Sequence, residues 1–146
     1  MTSKNGFEDK VRILIVDDED DIGIVLAKGL EAEGFSVESS GDPEEVLKTF
    51  KKGMYDLVLL DIRMPKMTGF ELFREIRKID SLVRVCFITA FEIYFDEFKK
   101  VFPKIHVSCF IRKPVTIKQL AAAIHSELAR PELRQDVEEA PPSRSN

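Results

Sequence analysis

The chain has 146 residues, of which 44% are hydrophobic and 33% charged, a globular composition with room for one ordinary domain and not two. Lys and Arg number 22 and Asp and Glu 26, a net charge of −4; without the basic stripe that phosphate-backbone binding needs, direct nucleic-acid binding is not expected. No apolar run is long enough to span a membrane, and the polar segment Met1 to Lys10 has no signal-peptide core, so the expectation is a soluble cytoplasmic protein with no membrane partner.

From Val11 onward, short apolar runs alternate with helical patterns. The first run, Val11–Val16, precedes a stripe of Ile22, Val25, Leu26, Gly29 and Leu30 at i, i+3, i+4, i+7 and i+8, the spacing of an amphipathic helix; Gly34 ends it. A short second run, Ser36–Val37, leads to Asp42-Pro43-Glu44-Glu45, where an N-cap, a proline at the first helical position and an acid three residues on open a second helix that stops before Gly53. The third run, Leu57–Leu60, is followed by a helix from about Gly69 to Lys78 with Phe70, Phe73 and Ile76 inward. After the fourth run, Val83–Ile88, the pattern predicts a helix between Phe91 and Phe102, closed by Pro103. The fifth run, Val107–Ile111, leads to Thr116-Ile117-Lys118-Gln119, a capping box whose helix buries Leu120, Ile124 and Leu128.

Five strands alternating with five helices specify an α/β domain: a five-stranded parallel sheet, doubly wound, with the flavodoxin-like (βα)5 strand order 2-1-3-4-5. The domain is expected over residues 10–130, with flexible termini at 1–9 and 131–146, the latter polar and proline-rich. Cys86 and Cys109 lie in apolar runs without a CxxC partner and read as buried thiols of a reducing compartment. His106 and His125 stand without metal-ligand neighbours and read as structural or surface residues.

In such sheets ligands bind beyond the carboxyl ends of the strands. Asp17 and Asp18 follow the first strand, Asp61 the third, Thr89 ends the fourth, and the fifth runs into Lys113-Pro114. Two carboxylates about 5 Å apart repel by roughly 3 kcal/mol at an effective dielectric of 20, so the cluster calls for a cation or shared protons. An all-oxygen site with few protein ligands suits Mg2+, which also binds phosphate oxygens. Lys113 and Thr89 add a positive charge and a hydroxyl donor, leaving one carboxylate placed as nucleophile. Singly, each signal has a plainer reading: a solvated acidic loop in which Asp20 or Asp21 caps the first helix, a turn at Asp61–Pro65, a satisfied strand end at Thr89.

Together, Asp17-Asp18, the D-x-x-M-P-x-x-x-G run from Asp61 to Gly69, Thr89-Ala90 and Lys113-Pro114 resemble the receiver domain of two-component response regulators, over about residues 10 to 130. The resemblance implies that Asp61 accepts a phosphoryl group from a histidine kinase or phosphotransfer protein. It implies Mg2+ held by Asp18, Asp61 and the Arg63 backbone carbonyl, with Asp17 holding a metal-bound water. Thr89 and Lys113 would grip the phosphoryl group, a cis bond between Lys113 and Pro114 would position the lysine, and Phe110 falls at the switch aromatic.

The function so implied is a stand-alone phosphoacceptor switch. It catalyses only its own phosphorylation and dephosphorylation, and it signals to an effector protein, or to a second copy, through the face of the fourth helix, fifth strand and fifth helix. Two rivals remain: a Mg2+-dependent aspartyl-phosphate phosphatase, against which Arg63 stands where a second acid is usual, and a non-phosphorylatable scaffold. Phe91, two residues after Thr89, is expected to exclude water and prolong the phosphorylated state. The aromatic-rich stretch Phe91 to Phe102 reads first as core packing against the sheet; the alternative, with Ile93 off its inward stripe, is that part of it presents a docking surface for a partner or a second copy.

Overall fold

A computed structural model describes residues 9–90 and 109–131. The expected fourth helix with Phe91 and Ile93, His106, the first part of the fifth apolar run and the C-terminal tail lie outside these residues. Among the described residues, β1 (Arg12–Val16), β2 (Ser36–Ser40), β3 (Leu57–Asp61), β4 (Arg84–Thr89) and β5 (Phe110–Arg112) form one sheet in the order β2-β1-β3-β4-β5. Every strand pair is parallel. The helices are α1 (Asp20–Ala32), α2 (Pro43–Thr49), α3 (Gly69–Ile79) and a C-terminal helix, Ile117–Ala129. This is the flavodoxin-like order that the alternation of runs and stripes predicts. Among the described residues, no helix is long and apolar enough to cross a membrane.

The central strands are apolar on both faces because both faces are covered. One core joins Leu14, Val58, Leu60, Val85 and Phe87 to Val46 of α2 and Leu72, Phe73 and Ile76 of α3. The opposite core joins Ile13, Ile15, Leu57, Leu59 and Ile88 to Leu26 and Leu30 of α1 and Leu120 and Ile124 of the C-terminal helix. Caps set the helix starts. Asp42 accepts hydrogen bonds from the Glu44 and Glu45 amides, Thr116 and Gln119 cap each other reciprocally, and so do Thr68 and Glu71 at α3.

Two expectations need correction. Val25 is 65% exposed: the buried residues of α1 are Gly23, Leu26 and Leu30, with Ile22 and Ala27 partly buried against the same core. The cysteines are not free thiols either. Cys86 and Cys109 form a disulfide, with Cα atoms 4.6 Å apart. The reading of two isolated thiols failed because their proximity comes from the register of β5 on β4, where Phe87 pairs with Phe110, and not from their spacing in the chain.

Candidate functional site

Asp17 directly follows β1, Asp61 is the last residue of β3, Thr89 the last of β4, and Lys113 directly follows β5. The parallel order therefore delivers all four to the carboxyl edge of the sheet. Carboxylate oxygens of Asp17, Asp18 and Asp61 all lie within 4.8 Å of one another. Asp17 and Asp61 are buried, at 1% and 6% exposure, and Asp18 is exposed. A solvated acidic loop does not describe this arrangement, and the first helix is entered at Glu19 without a side-chain cap.

The two buried carboxylates are held by hydrogen bonds. Asp17 accepts a hydrogen bond from the Glu19 amide at 2.9 Å, and its other oxygen meets the Lys113 ammonium at 3.0 Å. The Lys113 amide donates to the Thr89 carbonyl at 2.8 Å, fixing β5 to the end of β4, and the Lys113–Pro114 bond is cis. Thr89 is buried. Burial, then the charge of Asp17 and that of Asp18, raise the Asp61 carboxyl to about 6, against the opposing pull of Lys113 and of a hydrogen bond from the Arg63 amide. A buried carboxylate raised by its own neighbours marks a place built for added positive charge.

The loop after β3 is anchored by its apolar residues. Ile62 and Met64 are buried in the core beside α2 and α3, while Arg63 between them is exposed. The Gly69 amide donates to the Ile62 carbonyl at 2.9 Å, and a Cβ on Gly69 would collide with the Asp61 carbonyl oxygen. Gly69 therefore fixes the Asp61 peptide, a role that the motif spacing alone presents as loop punctuation. Phe110 is half-buried and lies 5.4 Å from the Phe87 ring and 6.5 Å from the Phe70 ring. These aromatic partners went unread because they lie on α3 and β4. His125 sits 5.0 Å from Phe35, ring to ring, a packing position.

Comparison with known proteins agrees with this geometry. The family model of the response regulator receiver domain matches residues 13–125. The transcriptional regulatory protein RprY of Bacteroides fragilis is 34% identical over 123 residues, which are 84% of this chain and 51% of that protein. The chain spans about half the length of the curated relatives it matches. Among solved structures, a CheY-like response regulator receiver domain protein of Methanospirillum hungatei superposes with a TM-score of 0.72 at 28% identity, covering 82% of this chain and 94% of that one. The response regulator TrrA of Thermotoga maritima, in complex with Mg(2+)-BeF, superposes with a TM-score of 0.67 at 32% identity, covering 80% and 97%.

Proposed function

From the premise that this chain belongs to the response regulator receiver domain family, the phosphoacceptor switches of two-component signalling, we propose that Asp61 is its phosphoacceptor. Receiver domains are signalling domains rather than enzymes of free substrates. The finer reading is that this one catalyses its own phosphorylation and later hydrolysis. The observation that carries it is the convergence of three carboxylates within 4.8 Å with the Lys113 ammonium 3.0 Å from Asp17.

The donor set fits Mg2+: oxygen ligands only, two carboxylates buried and one facing solvent, and a net negative charge that one lysine does not cancel. Asp18, Asp61 and the Arg63 carbonyl would hold the ion, with Asp17 behind them. When bound, Mg2+ supplies positive charge against the oxygens of the transferring phosphoryl group. An Asp61 carboxylate oxygen attacks phosphorus, the bond from phosphorus to the donor breaks, and the donor leaves with that electron pair, so an acyl phosphate stands on Asp61. Lys113 and the Thr89 hydroxyl then bind phosphoryl oxygens, which compete with Asp17 for the ammonium.

The modification brings roughly −1.5 to −2 charge to this edge. Thr89 moving toward it opens space for Phe110, which carries the change to the face of β5 and the C-terminal helix, where an effector protein or second copy reads it. The donor is a histidine kinase or phosphotransfer protein, and the setting is the cytoplasm. Incubation with acetyl phosphate and Mg2+, followed by intact mass, tests the reading. One phosphoryl group should add to the chain and none to Asp61→Asn. Steady release of phosphate over many turnovers would indicate a phosphatase, and no mass gain a scaffold.

A further inference from the structure

The geometry points to Cys86 and Cys109 as a redox modification site that sets how firmly β5 is held in the sheet. Cys86 lies within β4 and is fully buried, while Cys109 immediately precedes β5 and is 8% exposed. Their Cα atoms are 4.6 Å apart, within the span a cystine bridges. The Phe87 amide donates to the Cys109 carbonyl at 2.9 Å, so the ladder between the two strands already holds the sulfurs side by side. The two sulfurs therefore stay within bonding reach of each other whether oxidised or reduced.

The bond ties an edge strand to its neighbour. Among the described strands, β5 lies at one edge of the sheet and pairs with β4. A strand hydrogen-bonded on one side opens more easily than a central one. The covalent tie adds to the hydrogen bonds that hold β5 there. The carboxyl end of the same two strands carries Thr89 and Lys113, three residues from Cys86 and four from Cys109. Both sulfurs belong to the core under α1 and the C-terminal helix, an apolar setting that suits thiols or a cystine equally. In a reducing cytosol a disulfide of this kind is characteristically transient and redox-sensing.

The chemistry is thiol–disulfide exchange with a dithiol reductant. One of its thiolates attacks the sulfur of Cys109, the more exposed of the pair, on local opening of β5. The Cys86–Cys109 bond breaks, Cys86 leaves as a thiolate and takes up a proton, and a mixed disulfide forms. The second thiol of the reductant attacks that bond, releasing Cys109 as a thiol. Two electrons and two protons enter the protein, and the dithiol leaves as a disulfide. The reverse reaction restores the tie.

Oxidation pins β5 to β4; reduction leaves it on its hydrogen bonds to β4. The effect on signalling rests on Asp61 being the phosphoacceptor, because Lys113 must leave Asp17 to reach a phosphoryl group, but the redox site itself does not. The chain is to be prepared oxidised and dithiothreitol-reduced, with the state of both cysteines counted by alkylation and intact mass. Amide hydrogen exchange is then compared between the two, followed by Asp61 labelling with acetyl phosphate. Reduction should speed exchange over Phe110–Lys113 by at least about tenfold while β1 and β3 are unchanged, and should speed labelling several-fold. Cys86→Ala and Cys109→Ala should each behave as the reduced chain in both buffers; the wild type alone suffices if either fails to fold.

Two thiols that stay free under oxidising conditions, or a cystine whose reduction leaves exchange in β5 unaltered, would overturn the inference. Exchange that responds with equal labelling in both states would overturn its signalling consequence. Exchange that responds with no labelling in either state would sink the phosphoacceptor reading and leave the redox site standing.

Discussion

Burial and the charges of Asp17 and Asp18 hold the Asp61 carboxyl at about 6, above its ordinary 3.8. In the unfolded chain that carboxyl is already ionised in the interval between these values, so the native state binds more protons there. Its contribution to stability is therefore full below pH 3.8 and is lost as pH rises through about 6. Metal-free thermal melts in a chelator should accordingly show a component of stability that declines across this window and is absent from Asp61→Asn. The variant should also melt higher than the wild type near neutrality, and Mg2+ should raise the melting temperature of the wild type alone. Parallel curves for the two proteins would remove the electrostatic account. Asp18 is exposed and Asp17 is buried against Lys113, so the two acids should separate in a different way. Asp18→Ala should weaken Mg2+ binding, read by titration, with a metal-free melting temperature no lower than that of the wild type, whereas Asp17→Ala should also perturb the fold by leaving the ammonium unpaired. The acids were legible in the sequence because strand ends are legible from apolar runs. That one of them is bonded to a lysine 96 residues away was not, since no local pattern encodes it.

At the scale of an element, α3 is the part of the fold that holds Asp61, the proposed phosphoacceptor, in place. Its start has two devices of different kinds: the reciprocal cap of Thr68 and Glu71, and the close approach of Gly69 to the Asp61 carbonyl. Losing the cap should cost about 1 kcal/mol and leave the carboxylate where it is, so Thr68→Ala should melt slightly lower and still accept a phosphoryl group at the normal rate. Gly69→Ala must push the helix from the end of β3, a cost of roughly 1–3 kcal/mol, and should lower Asp61 labelling by about tenfold or more because small displacements of a reacting group are costly. Equal labelling in the two variants would mean that the glycine is only a turn residue. Elements with polar caps and regular stripes, α2 and the C-terminal helix, could be read directly from the chain. The face of α1 was misread at Val25 because an apolar residue at helical spacing need not face the core: the buried positions are Gly23, Leu26 and Leu30, and Val25 lies to one side of them. The cystine was invisible for a related reason: strand register, a property of two elements together, brings its halves into contact.

Across the whole molecule, the two ends of the sheet have different duties. The carboxyl end gathers charges that repel one another, and the amino end gathers charges that are paired. Glu127 of the C-terminal helix is 2% exposed and lies 3.5 Å from Arg84 at the start of β4 and 3.6 Å from Arg130. Arg84 also donates to the backbone carbonyls of Glu127 and Arg130 at 2.9 and 2.7 Å, closing the last turn of the helix onto the sheet. Removing one partner of a buried pair typically costs about 3–5 kcal/mol because the other charge is left behind. Here Arg130 still faces Glu127, which puts the expected loss for Arg84→Ala at the lower end, about 3 kcal/mol. Denaturant unfolding should show that loss as a lower midpoint with an unchanged slope. Asp61 lies at the opposite end of the neighbouring strand, where the β3–β4 ladder runs from Leu57 opposite Arg84 to Asp61 opposite Ile88. Its chemistry should therefore not feel the change: well below the new midpoint, Arg84→Ala should take up a phosphoryl group from acetyl phosphate at the wild-type rate. A labelling rate that falls with the stability would show that the two ends are coupled through the sheet, and that the acceptor's geometry depends on the closure of the C-terminal helix.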